Sequence, residues 1–111
     1  MIMANLLTET TIRNAVERIV AVAHAPRKVI LFGSYACQEA DEDSDLDLLV
    51  IERAIDDHST EYIRLREAIG SVGVGVDLLL YSEAEYEMRR HWWTTPAYWA
   101  DREGKILYES T

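Results

Sequence analysis

The spacing of apolar residues predicts that the chain begins with an amphipathic helix. Thr8 or Thr10 can cap its N-terminus, and Pro26 ends it because proline does not fit the interior of a helix. The apolar residues between these limits repeat at the helical period, and they are Ile12, Val16, Ile19, Val20 and Ala23. We therefore expect one face of this helix to pack on a core.

Farther along, short apolar runs alternate with amphipathic segments, which predicts strands alternating with helices. Strands are expected at residues 28–32, 45–51 and 74–81, with a short extended piece at 105–108. Helices are expected at 34–40, at 57–69, and from the capping box of Ser82 and Glu85 to about His91. The region around Pro96 is expected to be helix or loop.

Length and charge limit what the protein can be. Its 111 residues suffice for one domain, residues 1–111, without a second catalytic lobe. The net charge of −9 argues against nucleic acid as a direct partner. A single cysteine, Cys37, permits no internal disulfide and fits a reducing compartment. With no leader pattern and no apolar run approaching ~18 residues, we expect a soluble cytoplasmic protein that does not enter a membrane.

Two aspartates interrupt the predicted strand at 45–51. Because strand side chains alternate, Asp45 and Asp47 share one face, while Leu46, Leu48 and Val50 point toward a core. Their Cα atoms would lie roughly 6.6 Å apart, at about 3.3 Å per residue. Asp77 places a third carboxylate in an apolar strand, where an unpartnered charge is costly. Oxygen ligands without His or Cys favour Mg²⁺, or Mn²⁺, over zinc.

Gly33 and Ser34 follow the first predicted strand and supply features that suit phosphate binding. Glycine lets the backbone turn closely against a ligand, and Ser34 can cap the next helix, whose free amides would face an anion. Together with carboxylates holding two cations, this is what metal-dependent phosphoryl or nucleotidyl transfer requires. One cation would activate the acceptor hydroxyl, and the other would stabilise the leaving pyrophosphate.

Several residues also have plainer interpretations. Asp41, Glu42 and Asp43 fit a solvated loop, and Asp77 could simply reach solvent at a strand end. An EF-hand register exists in which Asp41, Asp43, Asp45 and Glu52 are ligands, but Leu46 occupies the position that requires glycine. The histidines lack metal-ligand spacing, and Cys37 fits a small apolar filler. The C-terminal aromatics divide between core and protein interface, and they are Tyr81, Tyr86, Trp92, Trp93, Tyr98, Trp99 and Tyr108.

The chain contains Gly33-Ser34, then ten further residues, then Asp45-x-Asp47, and later Asp77. This pattern resembles the signature of the polymerase-beta-type nucleotidyltransferases. The phrases Gly-Ser-Tyr-Ala at 33–36, Asp-Ser-Asp-Leu-Asp-Leu-Leu-Val at 43–50 and Gly-Lys-Ile-Leu-Tyr-Glu at 104–109 resemble minimal nucleotidyltransferases (MNT), the antitoxins of HEPN/MNT toxin–antitoxin pairs. The resemblance implies an α/β (α+β) fold, a small mixed sheet flanked by helices. It implies Asp45, Asp47 and Asp77 as the catalytic metal triad and Gly33 and Ser34 as phosphate ligands.

The resemblance also implies a reaction, the Mg²⁺-dependent transfer of AMP from ATP to a tyrosine of a HEPN RNase toxin, which is thereby silenced. The chain departs from the family pattern at Cys37-Gln38, where such proteins usually have Arg-Gly. It does not resemble the toxin itself, because Thr60 stands where the HEPN motif after Arg53 and His58 requires tyrosine.

Two functions therefore remain open. One is an adenylyltransferase that modifies its toxin, and the other is a catalytically weak or inactive antitoxin that neutralises the toxin by forming a complex. Either function implies a hetero-oligomer with the toxin, and the acidic surface suits a basic protein partner. Transfer to a small molecule such as an aminoglycoside is disfavoured, because no acceptor-binding domain is evident.

Overall fold

The computed structural model describes residues 6–110. In chain order the elements are α1 Glu9–Val22, β1 Pro26–Phe32, β2 Leu46–Glu52, α2 His58–Ile69, β3 Val76–Ser82, α3 Glu83–Arg89, α4 Pro96–Glu103 and β4 Lys105–Glu109. Within these residues no helix has both the length and the apolar content required to cross a membrane. The predicted order of helices and strands is confirmed, apart from the helix expected at 34–40.

Three helices begin at side-chain caps, two of which were predicted from the sequence. The Thr8 hydroxyl accepts from the Thr11 amide at 3.1 Å, which decides between the two candidate caps of α1. The Ser82 hydroxyl accepts from the Glu85 amide at 3.2 Å at the start of α3. Asp57 caps α2 in the same way. Each cap satisfies an amide that the helix itself leaves unpaired.

The helix predicted at 34–40 is wrong, and a hydrogen-bonded turn occupies this segment. The amides of Ala36 and Cys37 both donate to the Gly33 carbonyl, at 3.0 and 3.2 Å. Gln38 then adopts a φ of +60°, a left-handed conformation that stops helical winding. Only Ala36 of this segment is buried, so there is no apolar stripe to hold a helix against the sheet.

The four strands form one mixed sheet in the order β3-β2-β1-β4. Strand β1 is antiparallel to both β2 and β4, whereas β2 and β3 run parallel. The connection from β2 to β3 passes through α2, as a parallel pair requires a crossover. This architecture confirms the mixed sheet flanked by helices that the resemblance implies.

Helices cover both faces of the sheet, which creates two hydrophobic cores. Helices α1 and α2 pack on one face, and α3 and α4 pack on the other. As predicted, Leu46, Leu48 and Val50 face the first core. Leu49 and Ile51 were not assigned to a core, yet they are buried in the second. Strand β2 is therefore buried on both faces, as is usual for a central strand under two helical layers.

Two buried glutamates lie where β2 ends, beside the connection from α1 to β1. Glu52 accepts from the Ala25 amide, and Glu61 accepts from the His24 amide and from Arg64. Burial and a hydrogen bond with Glu61 raise the pKa of Glu52 to about 7. Although burial opposes it, hydrogen bonds from Glu52, His24 and Arg64 lower the pKa of Glu61. Near neutral pH we therefore expect Glu52 to be protonated and to share this proton with Glu61.

We expect Glu52→Gln to stabilise the protein in mildly alkaline solution. The pKa of Glu52 rises on folding from 4.5 to about 7. Protonated Glu52 therefore favours the folded state, and this contribution to stability is lost as the pH rises from 4.5 to about 7. Glutamine keeps a donor toward Glu61 but carries no charge. Urea unfolding at several pH values should show a flatter profile for this variant than for wild type between about pH 5 and pH 8.

The exposed Glu67 of α2 provides a control through Glu67→Gln, which should leave the profile unchanged. An identical pH profile for Glu52→Gln and wild type would contradict the shared proton.

Candidate functional site

The three aspartates predicted from the sequence lie at one end of the parallel strand pair. The register places Asp47 of β2 directly beside Asp77 of β3, and Asp45 immediately precedes β2. Neighbouring residues in register share a face of the sheet, so the Asp47 and Asp77 side chains leave from the same side. They share this face with the core under α3 and α4.

The sequence places Asp77 in an apolar strand, where a buried charge is costly, but the structure leaves this side chain exposed. Asp77 is the second residue of β3 and is exposed, whereas Asp47 is partly buried. The cost of burying a carboxylate in an apolar strand therefore falls on Asp47. Exposure of Asp77 does not separate it from the site, because the strand register holds it beside Asp47.

Gly33 provides the close approach expected of it, but the neighbouring group is Asp47. Its φ is +74°, and a Cβ at this position would collide with the Asp47 carboxylate. Both the backbone angle and the space therefore require glycine here. Ser34 follows in the turn rather than at the start of a helix, and the amides of Ala36 and Cys37 are already paired with the Gly33 carbonyl. The expected helix N-terminus for a phosphate is thus replaced by a turn.

The electrostatics of the site are dominated by like charges. Burial, the charges of Asp77 and Asp45, and a hydrogen bond with Asp77 raise the pKa of Asp47 to about 6. Within residues 6–110 no Lys or Arg offsets these effects, in contrast to the role of Arg64 beside Glu61. Such a cluster attracts a divalent cation, which would replace the mutual repulsion with attraction.

The donor chemistry of this site fits Mg²⁺ or Mn²⁺, because all three side chains offer carboxylate oxygens. Glycine also leaves room around two of these carboxylates, with Gly33 beside Asp47 and Gly75 beside Asp45. Within residues 6–110, however, no three His, Cys, Asp or Glu side chains are gathered closely enough to hold one ion. Asp47 and Asp77 are already paired, and Asp45 lies against Gly75. Sequence reasoning missed Gly75, although its position two residues before Asp77 was visible.

Other candidate ligands lie elsewhere or have structural roles. Glu52, the last ligand of the EF-hand register, is buried at the opposite end of β2 from Asp47, which excludes a calcium loop. His24 pairs with Glu61, and the His58 ring bonds to the Leu80 carbonyl. Cys37 is exposed rather than a core filler, so that interpretation is wrong.

Comparison with known proteins assigns the family. Residues 14–110 match the family described as Polymerase beta, Nucleotidyltransferase. The chain therefore belongs to the polymerase beta nucleotidyltransferase family. No curated protein matches the chain.

Among solved structures, the neighbours include MNT antitoxins in toxin–antitoxin complexes. A mutant MntA-HpeT toxin–antitoxin structure has a TM-score of 0.65 and 16% identity, and the match covers 95% of this chain and 76% of that one. A tri-AMPylated Shewanella oneidensis HEPN toxin in complex with MNT antitoxin gives 0.60 and 15%, covering 93% and 74%. A toxin–antitoxin structure with AMP-PNP gives 0.59 and 17%, covering 89% and 74%. These similarities confirm the nucleotidyltransferase fold.

We expect Asp47→Asn to stabilise the metal-free protein near pH 8 while weakening its response to Mg²⁺. The pKa of Asp47 is raised on folding from 3.8 to about 6. Its ionised form therefore destabilises the fold above about pH 6 and has no such effect below about pH 4. Asparagine removes that charge and also a ligand. Thermal unfolding with and without Mg²⁺ at about pH 8 tests both effects, since a bound ion stabilises by about 2.7 kcal/mol at about 100 times its Kd.

Asp43→Asn in the exposed loop is the matched control, and it should resemble wild type. Were Asp47→Asn to keep the full response to Mg²⁺, Asp47 would not be a metal ligand.

Proposed function

We propose that the protein is an antitoxin that transfers AMP from ATP to a tyrosine of a cognate HEPN RNase toxin. The observation that carries this proposal is the pairing of Asp47 with Asp77 beside the Gly33 turn, in a chain of the nucleotidyltransferase family. Structural neighbours from toxin–antitoxin complexes, one with an AMPylated toxin and one with AMP-PNP, support the choice of acceptor and nucleotide.

The residues of the site have distinct roles in this reaction. Asp45, Asp47 and Asp77 would hold Mg²⁺ as two ions, which would supply positive charge to the triphosphate and to the acceptor oxygen. The turn at Gly33 lets the nucleotide approach the backbone, and the Ser34 hydroxyl contacts its phosphates. The amides of Ala36 and Cys37 are engaged in the turn. Those of Ser34 and Tyr35 are therefore the ones assigned to phosphate binding.

The transfer forms one bond and breaks another. The tyrosine oxygen attacks the α-phosphorus of ATP, and the bond from that phosphorus to the oxygen bridging to the β-phosphate breaks. Pyrophosphate leaves with the bonding electron pair. The phenolic proton passes to the exposed carboxylate of Asp77, which lies on the open side of the pair with Asp47.

An exposed aromatic surface offers a place for the toxin to bind. This surface consists of Met88, Trp92, Trp93 and Trp99 on and between α3 and α4, with Trp93 69% exposed. Tyr86, by contrast, is buried and bonds to Asp101. Since α3 and α4 cover the carboxylate-bearing face of the sheet, a protein seated there lies on the side from which its tyrosine must reach Asp47. Trp is favoured at interface centres.

One observation favours the second candidate, an antitoxin that acts by binding alone. Gln38 occupies a left-handed conformation, with φ of +60°, at the position where the resemblance leads us to expect glycine. A residue with a Cβ pays about 1 kcal/mol or more there. The turn beside the site therefore has a less favourable backbone conformation than glycine at position 38 would give. An antitoxin that acts by binding alone could tolerate such a turn.

The proposed reaction predicts an AMP-sized mass increase on the toxin. Purified chain, its HEPN partner, ATP and Mg²⁺ should give this product by intact-mass spectrometry, with the modified tyrosine located by peptide sequencing. Asp45→Asn and Asp47→Asn should each abolish the increase, because each removes a metal ligand, while Asp43→Asn should not.

Neutralisation of the toxin in cells separates the two candidates. If Asp47→Asn still binds the toxin but no longer protects, modification is the mechanism. Full protection by this variant would establish binding alone.

The aromatic surface predicts a separate effect on complex formation. Trp93→Ala should weaken binding to the toxin by about tenfold or more, as expected for a buried interface Trp. Calorimetric titration of toxin with wild type and variant measures this loss. Ile63→Ala is the matched control, because Ile63 is similarly exposed but lies on α2, in the opposite layer. A larger loss for Ile63→Ala than for Trp93→Ala would place the interface on the other layer.

A further inference from the structure

Gly75 occupies a corner of the carboxylate cluster and contributes no side chain of its own to it. The register pairs Leu46 with Val76 and Asp47 with Asp77, so residue 45 adjoins residue 75 just before the two strands. The Leu46 amide donates to the Gly75 carbonyl at 2.8 Å, which extends the ladder by one step. Because side chains alternate, positions 45, 47, 75 and 77 share one face. Three of these four positions carry carboxylates, and the fourth is glycine.

The space above Gly75 is occupied by the Asp45 carboxylate. A Cβ built at Gly75 would stand 2.6 Å from Asp45 Oδ1 and 3.2 Å from its Cγ. Real Cβ atoms do not approach other atoms so closely, so any other residue at 75 must displace this carboxylate. The φ of Gly75 lies outside the left-handed region, unlike that of Gly33. Glycine is therefore required at position 75 to leave space for the Asp45 carboxylate, and not to permit an unusual backbone angle.

We propose that Gly75 is a positioning residue for Asp45. Because it has no side chain, Gly75 lets the Asp45 carboxylate lie on the β3 side of the cluster, toward the strand that bears Asp77. The inference rests on the proposed function, since it assigns Gly75 a part in assembling the metal-binding carboxylates. Gly75 itself touches neither the metal nor the nucleotide.

The displaced atoms determine what a substitution does. The group that a Cβ at 75 would meet is the far end of a flexible side chain, not backbone. Asp45 is exposed and can rotate away at little cost to the fold. Gly75→Ala should therefore fold normally while its Asp45 carboxylate is turned out of the cluster, so stability and metal affinity separate.

The experiment is a double-mutant cycle with Mn²⁺ alone as the probe, and free Mn²⁺ is measured by electron paramagnetic resonance. We expect Gly75→Ala to weaken Mn²⁺ binding by about tenfold or more, as losses of positioning partners do at metal sites. In the Asp45→Ala background the same substitution should change binding by less than about twofold, because the atoms it displaces are gone. Thermal unfolding without metal should show each variant at least as stable as wild type, because moving or removing the Asp45 charge relieves its repulsion with Asp47.

Ser71→Ala, in the exposed loop before β3, is the control and should bind Mn²⁺ as wild type does. Equal affinities of Gly75→Ala and wild type would overturn the inference while leaving the proposed function intact. An equally large loss in the Asp45→Ala background would also overturn it, since Gly75 would then act without Asp45. Absence of Mn²⁺ binding by the wild type would instead refute the proposed metal-dependent function, and the inference with it.

Discussion

The parallel register of β2 and β3 is the constraint on which the site depends. It sets Asp47 against Asp77 although two carboxylates so placed repel each other. A slip by one residue would relieve the repulsion, but it would also turn every side chain of β2 to the opposite face. Because Leu48 and Leu49 are each fully buried in a different core, no such slip is tolerated. Burial on both faces thus holds the unfavourable pair in place.

Strand β2 carries a second crowded carboxyl group at its other end, and the contrast separates a structural pair from a functional one. Glu52 lies about 16 Å from Asp47, five residues at about 3.3 Å each. Its partner Glu61 accepts hydrogen bonds from Arg64 and the His24 amide, and the raised pKa of Glu52 favours loss of one of the two negative charges near neutral pH. Groups of the protein itself therefore compensate the negative charge of Glu52 and Glu61. Among the described residues, no Lys or Arg lowers the pKa of Asp47 beside Asp77, so a bound cation would relieve the repulsion of this pair.

Local signals in the sequence predicted most of the elements, because each signal had a physical partner close by. The caps at Thr8 and Ser82 bind amides three residues on, so local sequence signals indicated where these two helices start. Apolar runs located the strands for the same reason. The helix expected after Gly33 failed, because its left-handed residue is Gln38, which gives no such signal in the sequence. Strand order and the second core at Leu49 depend on contacts between distant segments, which periodicity does not encode.

The candidate site shows the same division between near and distant partners. The spacing of Gly33 and Asp47 was visible in the sequence, but the reason for it was not, since the glycine makes room for the carboxylate itself. Gly75 stands in the same relation to Asp45 from the β3 side. Each of these carboxylates lies in a space that a glycine on a neighbouring segment leaves open. The two glycines therefore shape the site as much as the aspartates do. Their role can be recognised only once the strands are paired.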